Sequence, residues 1–237
     1  MAREFEVTWE GELPASPQQV WDAFTKHTRG WLWEIAYEPK VGGAERGLTG
    51  GGGTVTVWDP YQRFVTRAEA GEDFNQLDYT LSPQGDGTHL RFVHRGVMSG
   101  DYDLELDACR RHTAFYYHSL GEYLKHFAGR TATYAMTEAP ESSTSPDAFT
   151  KLRNALGLAD DVQVGDQVVL ELPGVTGVVD YLTPEFVGVR TADALYRFYG
   201  RNAFGWRIGV GRHLFAEGVD QAAEERAWED WLVGVFA

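Results

Sequence analysis

The sequence predicts an α+β fold, with helices against one face of an antiparallel sheet, in two related units of which the second is abbreviated. Three observations predict it. Asp103 to Phe127 (DLELDACRRHTAFYYHSLGEYLKHF) carries its apolar residues at helical period, and at about 1.5 Å per residue it reaches across a small domain. The stretches before it alternate apolar and polar residues with period two. After a stretch rich in Pro, Ser and Thr the same order of elements begins again.

Glu4 to Leu13 places Phe5, Val7 and Trp9 on one side and Glu4, Glu6, Thr8 and Glu10 on the other, the pattern of a half-buried strand. Ser16 suits an N-cap and Pro17 the first helical position, so a short helix follows, with Val20, Trp21 and Phe24 as its stripe. Gly30 to Val41 is dense in aromatic residues. Gly50 to Gly53 are four consecutive glycines. A phosphate-cradling loop would need Lys-Ser/Thr and then a helix; Thr54 to Trp58 reads as a strand, so a mobile hairpin loop is expected. Further strands carry Phe64 and Val65, then Leu77, Tyr79 and Leu81, then Leu90, Phe92 and His94, with a hairpin turn at Gln84 to Gly87.

On a helical wheel centred on Tyr116, the long helix gathers Cys109, His112, Thr113, Leu120, Tyr123, Leu124 and Phe127 into a sector about 120° wide, enough to face a core. Arg111, His118, Glu122 and His126 fall on the far side and are expected to face water. Residues 137–146 read as a linker, and Ser145-Pro146 repeats the helix-start signal of Ser16-Pro17. Strands and a closing amphipathic helix with Ala227, Trp228, Trp231, Leu232 and Val235 on one side complete the chain. The units are expected at 1–130 and 131–237.

The net charge of −14 argues against nucleic acid and anionic membranes as partners. The sole cysteine, Cys109, leaves no intrachain disulfide and fits a reducing cytoplasm. No signal region or membrane-spanning run is expected.

The opening strand with Ser16-Pro17 and Val20-Trp21-Phe24, then Val41-Gly42-Gly43, Val55 through Trp58-Asp59-Pro60, Arg63-Phe64 and the strand Thr88 to Gly96 resemble the activator-of-heat-shock-protein-90-ATPase-like family. That family belongs to the SRPBCC superfamily, START-like and pollen-allergen-like, with the helix-grip fold. The resemblance covers residues 1 to about 128 and more loosely the rest. It implies a curved antiparallel sheet gripping the long helix, with a ligand cavity between them. The matched residues are structural, and most bacterial members with this pattern are not thereby chaperone activators.

His118, Glu122 and His126, at i, i+4 and i+8, could form a metal-ligand row, but a solvated face explains them, and neither metal nor cofactor is expected. Cys109 has no evident His or Asn partner and reads as a small buried residue. The acids Asp101, Asp103, Glu105 and Asp107 suit a helix start. The helix stripe is apolar toward its end and mixed at its start, where Glu105, Cys109, His112 and Tyr116 stand. Either these are satisfied in a polar network or exposed, or they face a cavity, with His94 and Arg95 near them. Trp31, Trp33, Trp58 and Tyr79 serve equally as cavity wall or core. The expected ligand contacts are therefore Trp31, Trp33, Trp58, Tyr79, His94, His112 and Tyr116. A non-enzymatic binder of a small hydrophobic or aromatic molecule leads. An aromatase/cyclase-type enzyme using His112, Tyr116 and Arg95, and a cochaperone-like protein partner, are the alternatives. A homodimer is left open.

Overall fold

The structure, a computed structural model, describes residues 2–71 and 73–237. The chain divides into two compact units, Met1–Arg130 and Thr131–Ala237.

In the first unit β1 (Arg3–Leu13) and α1 (Pro17–Thr25) are followed by the strands β2 (Ala36–Tyr37), β3 (Ala44–Arg46), β4 (Gly53–Asp59), β5 (Arg63–Ala70), β6 (Asp73–Gln84) and β7 (Gly87–Met98), then by α2 (Tyr102–His126). The sheet runs β1-β7-β6-β5-β4-β3-β2, antiparallel throughout. A meander is thus closed by its first strand returning beside its last. Local sequence signals set the ends. Ser16 and Gln19 form a reciprocal capping box with Pro17 at the helix start. Gln84 pairs with Gly87 across a two-residue turn in which Gly85 has φ +56°, a conformation a side chain disfavours. The Asp101 carboxylate accepts the Leu104 N–H at the start of α2.

Directly opposed residues share a sheet face, so the register defines rows. One inward row is aromatic: Trp9, Phe92, Tyr79, Phe64 and Trp58. The next is Val7, His94, Leu77, Thr66 and Val55, and the third is Phe5, Gly96, Asn75 and Ala68. A Cβ at Gly96 would lie 2.8 Å from the Phe5 ring and 2.9 Å from the Phe74 carbonyl oxygen, so only glycine lets Phe5 lie there. The four-glycine loop is tethered rather than hanging free. Buried Glu45 accepts hydrogen bonds from the Leu48 N–H at 2.7 Å and the Thr49 hydroxyl at 3.1 Å.

The second unit follows the same circuit in shorter form: β8 (Thr133–Glu138), α3 (Ala148–Ala155), β9 (Gln167–Leu170), β10 (Val175–Leu182), β11 (Phe186–Arg190), β12 (Ala194–Tyr199), β13 (Gly209–Leu214) and α4 (Gln221–Val235). Its sheet order, β8-β13-β12-β11-β10-β9, again sets first strand against last. The core is aliphatic and aromatic, with Trp228 of α4 standing over Tyr196 and Phe198. The predicted linker at 137–146 is ordered structure instead. Thr137 and Glu138 belong to β8, and a 3-10 turn follows at Glu141–Thr144. Ser143 is fully buried and its hydroxyl accepts the Ile208 N–H at 3.2 Å. Ser, Thr and Pro make turns as readily as linkers, and composition does not separate the two. The expected Ser145-Pro146 helix start is displaced to Asp147. Among the described residues no helix is long and apolar enough to cross a membrane.

Candidate ligand cavity of the first unit

Between the inward face of the sheet and α2 lies a cavity of about 170 Å³. Asn75, Leu77 and Tyr79 of β6 and Phe92 and His94 of β7 form its floor. Cys109, His112, Thr113, Tyr116 and Tyr117 descend from α2, and Trp31, Leu32, Trp33 and Leu48 close the side. A larger groove of about 600 Å³ lies elsewhere, over β3, β4 and β5, but its walls are glycines and charged side chains that include the Arg67–Glu69 ion pair.

Six of the seven sequence-predicted contact residues line the cavity: Trp31, Trp33, Tyr79, His94, His112 and Tyr116. Trp58 does not. The bulge between Val55 and Val57 brings it onto the inward aromatic row, but Trp21 of α1 covers that end of the row. Trp58 packs edge-on to Trp21 at 4.9 Å and Phe64 at 5.4 Å as core. Arg95 is also excluded. Strand alternation turns it away from His94, and on the outer face it pairs with Glu6 at 2.6 Å. The row on α2 is not fully solvated: His118 and Glu122 are half-buried, and Glu122 pairs with exposed His126 at 3.6 Å. Among the described residues no cluster of three or more His, Cys, Asp or Glu could hold a metal ion.

Several polar groups of the wall are already committed. The Trp31 indole N–H donates to the Ala23 carbonyl at 3.1 Å and that of Trp33 to the Gly47 carbonyl at 2.7 Å, so both indole donors are already used. The Tyr79 and Tyr117 hydroxyls hydrogen-bond each other, and burial raises both above the usual phenol range. His112 is buried and uses Nδ1 to donate to the Ala108 carbonyl at 2.8 Å. Tyr116, at the centre of the predicted stripe, is half-buried and lines the cavity.

Sequence reasoning set His94 near the stretch of helix that holds Cys109 but did not single out Asn75. The His94 Nε2 lies 2.5 Å from Asn75 Oδ1, and its Nδ1 lies 3.4 Å from Cys109 Sγ. Burial pushes His94 down to about 4 and Cys109 up to about 11, so both rest neutral. A signal for Asn75 was present. Extending the alternation of Leu81, Tyr79 and Leu77 by one step places an amide on the inward face.

An antiparallel sheet closed on a long helix, with a small apolar cavity between them, defines a helix-grip domain. Within the first unit, residues 14–125 match the family model described as Activator of Hsp90 ATPase homolog 1-like protein. Among solved structures, the Mll3558 protein from Rhizobium loti is 24% identical over 52% of this chain and 99% of its own, with a TM-score of 0.43. The Aha1 dimer from Colwellia psychrerythraea is 20% identical over 51% of this chain and 96% of its own, with a TM-score of 0.42. DynU16, described as a protein of the dynemicin biosynthetic locus, is 15% identical over 98% of this chain and 95% of its own, with a TM-score of 0.45. These likenesses carry no argument about activity. No curated protein matches the chain.

Proposed function

We propose that the first unit binds one small hydrophobic or aromatic molecule, about the size of a single ring, between the sheet and α2. The cavity carries this reading: about 170 Å³, walled by Trp31, Trp33, Leu77 and Phe92, with a few polar side chains at fixed places. An engineered apolar cavity of about 150 Å³ holds benzene, so size alone selects a ligand of that order. It also ranks the readings. A polyketide cyclase would need space toward the usual range of roughly 300–1,000 Å³, which places that activity second.

The test is titration of the whole chain with phenol and with toluene, followed by tryptophan fluorescence. Saturable quenching by both is expected. Tyr116→Phe removes only a hydroxyl. It should weaken phenol by up to about tenfold, the size of one net hydrogen bond, and leave toluene unchanged. If neither probe saturates, the binding function is wrong.

A further inference from the structure

Cys109, His94 and Asn75 meet on the cavity wall although they come from α2, β7 and β6. Their contacts are directional. An amide oxygen only accepts, so Asn75 Oδ1 places the ring proton on Nε2 of His94. Nδ1 is then the acceptor, and it faces the Cys109 thiol at 3.4 Å. A nucleophile within reach of a base, with the base held by a third group, is the arrangement that activates a side chain for covalent chemistry. The Phe5 ring, edge-on to His94 at 4.8 Å, limits rotation of the imidazole from its other side.

We propose that Cys109, His94 and Asn75 form a nucleophilic array in this cavity, and that the molecule it takes is a small α,β-unsaturated carbonyl compound, captured as a thioether on Cys109. The proposal rests on the binding function above and adds the chemical class of the ligand. In the step, Sγ bonds to the β-carbon of the ligand while the thiol proton passes to Nδ1 of His94. The π pair of the carbon–carbon double bond moves onto the α-carbon and carbonyl as an enolate. The proton on Nδ1 is then delivered to the α-carbon. The sum is addition of S–H across the double bond, with no leaving group and no oxidant or reductant. Asn75 is a positioning residue that holds the reactive tautomer.

Conjugate addition fits this wall better than acyl transfer. A tetrahedral acyl intermediate needs fixed N–H donors around its oxyanion. The indole N–H groups of Trp31 and Trp33 already donate to carbonyls, and Cys109 lies within α2, where backbone N–H groups close the helix. An enolate is instead discharged by the proton that His94 has just received. The neutral resting state suits the same step. At neutral pH the imidazole is free to accept a proton, and the thiol is not spent as a standing thiolate.

The experiment uses the whole chain with cyclohex-2-enone and its saturated counterpart cyclohexanone. Intact mass follows the adduct, and tryptophan fluorescence follows occupancy. Expected is one enone per chain, located on Cys109 and lost in Cys109→Ser. The rate should be level from about pH 5 to about pH 8, because a neutral base is present throughout. His94→Gln should slow it by about a hundredfold or more at pH 7. The residual rate should climb about tenfold per pH unit, following the thiolate. Asn75→Leu should slow the reaction, and Asn75→Asp, which keeps an acceptor on Nε2, should restore it at pH 8. Occupancy by both compounds with no adduct overturns the array and leaves the binding function standing. Occupancy by neither overturns both. An adduct whose rate ignores His94→Gln, or climbs tenfold per unit in the wild type from about pH 5, overturns the array as well. The wild-type profile decides even where a variant fails to fold.

Discussion

His94 occupies a position on β7 where alternation demands an inward side chain and where burial forbids a charge. The ordinary value of 6.5 is pushed down to about 4, and desolvation is the cause. The unfolded chain takes up that proton near 6.5, before the folded chain can. Stability is therefore complete above about pH 6.5 and is lost as pH falls toward about 4, because the unfolded state then binds the extra proton. Denaturant melts across this window should show a falling acid limb in the wild type and a flatter limb in His94→Gln. Equal limbs would assign the acid sensitivity to other groups. That His94, His112 and Tyr116 face the cavity was legible because a period-two strand and a helical wheel each define a face. Trp58 and Arg95 were not. One turns on which helix covers its end of the row, the other on a single step of alternation. The joining of Asn75 to His94 and Cys109 depends on the register of β6 against β7 and on the height of α2 above them, which no local pattern encodes.

At the scale of the element, α2 does two things along one stripe. Around Leu120 and Leu124 it fills the core, and both are buried; around Cys109, His112 and Tyr116 it roofs a void. The sequence wheel located this change of character but drew the buried face too narrow, since Ala108, Phe115 and Ser119 are buried as well. Apolar periodicity measures only the residues that must be covered, and small or polar residues can be covered too. The two ends should respond differently to substitution. Leu120→Ala leaves a hole in close-packed surroundings and should cost about 2–5 kcal/mol. Tyr116→Phe, beside existing space, should cost less than about 1.5 kcal/mol. Thermal or urea melts of the two variants check this, and equal losses would mean that the roof is as tightly packed as the core.

At the scale of the molecule, the two units share one circuit: strand, short helix, antiparallel meander, closing helix. The repeat was legible in the order of elements, although the residues themselves barely repeat. Residues 137–146 look like a linker in composition but contain the end of β8 and the buried Ser143. Residues 128–131, after α2, are exposed. Brief digestion with a nonspecific protease should cut there before 137–146; first cuts within 137–146 would show that stretch to be loose. One further consequence lies in the closing of each sheet by its ends. Arg3 pairs with Met98 and Leu13 with Thr88, so β1 is made first and partnered last among the strands of its sheet. On a ribosome it waits, apolar on one side, until β7 has emerged, and the cavity has no roof until α2 follows. Such distant pairing makes for slow folding. The nascent chain therefore carries an exposed half-strand for most of the synthesis of its first unit, and the time until β1 is docked is its period of greatest exposure to aggregation.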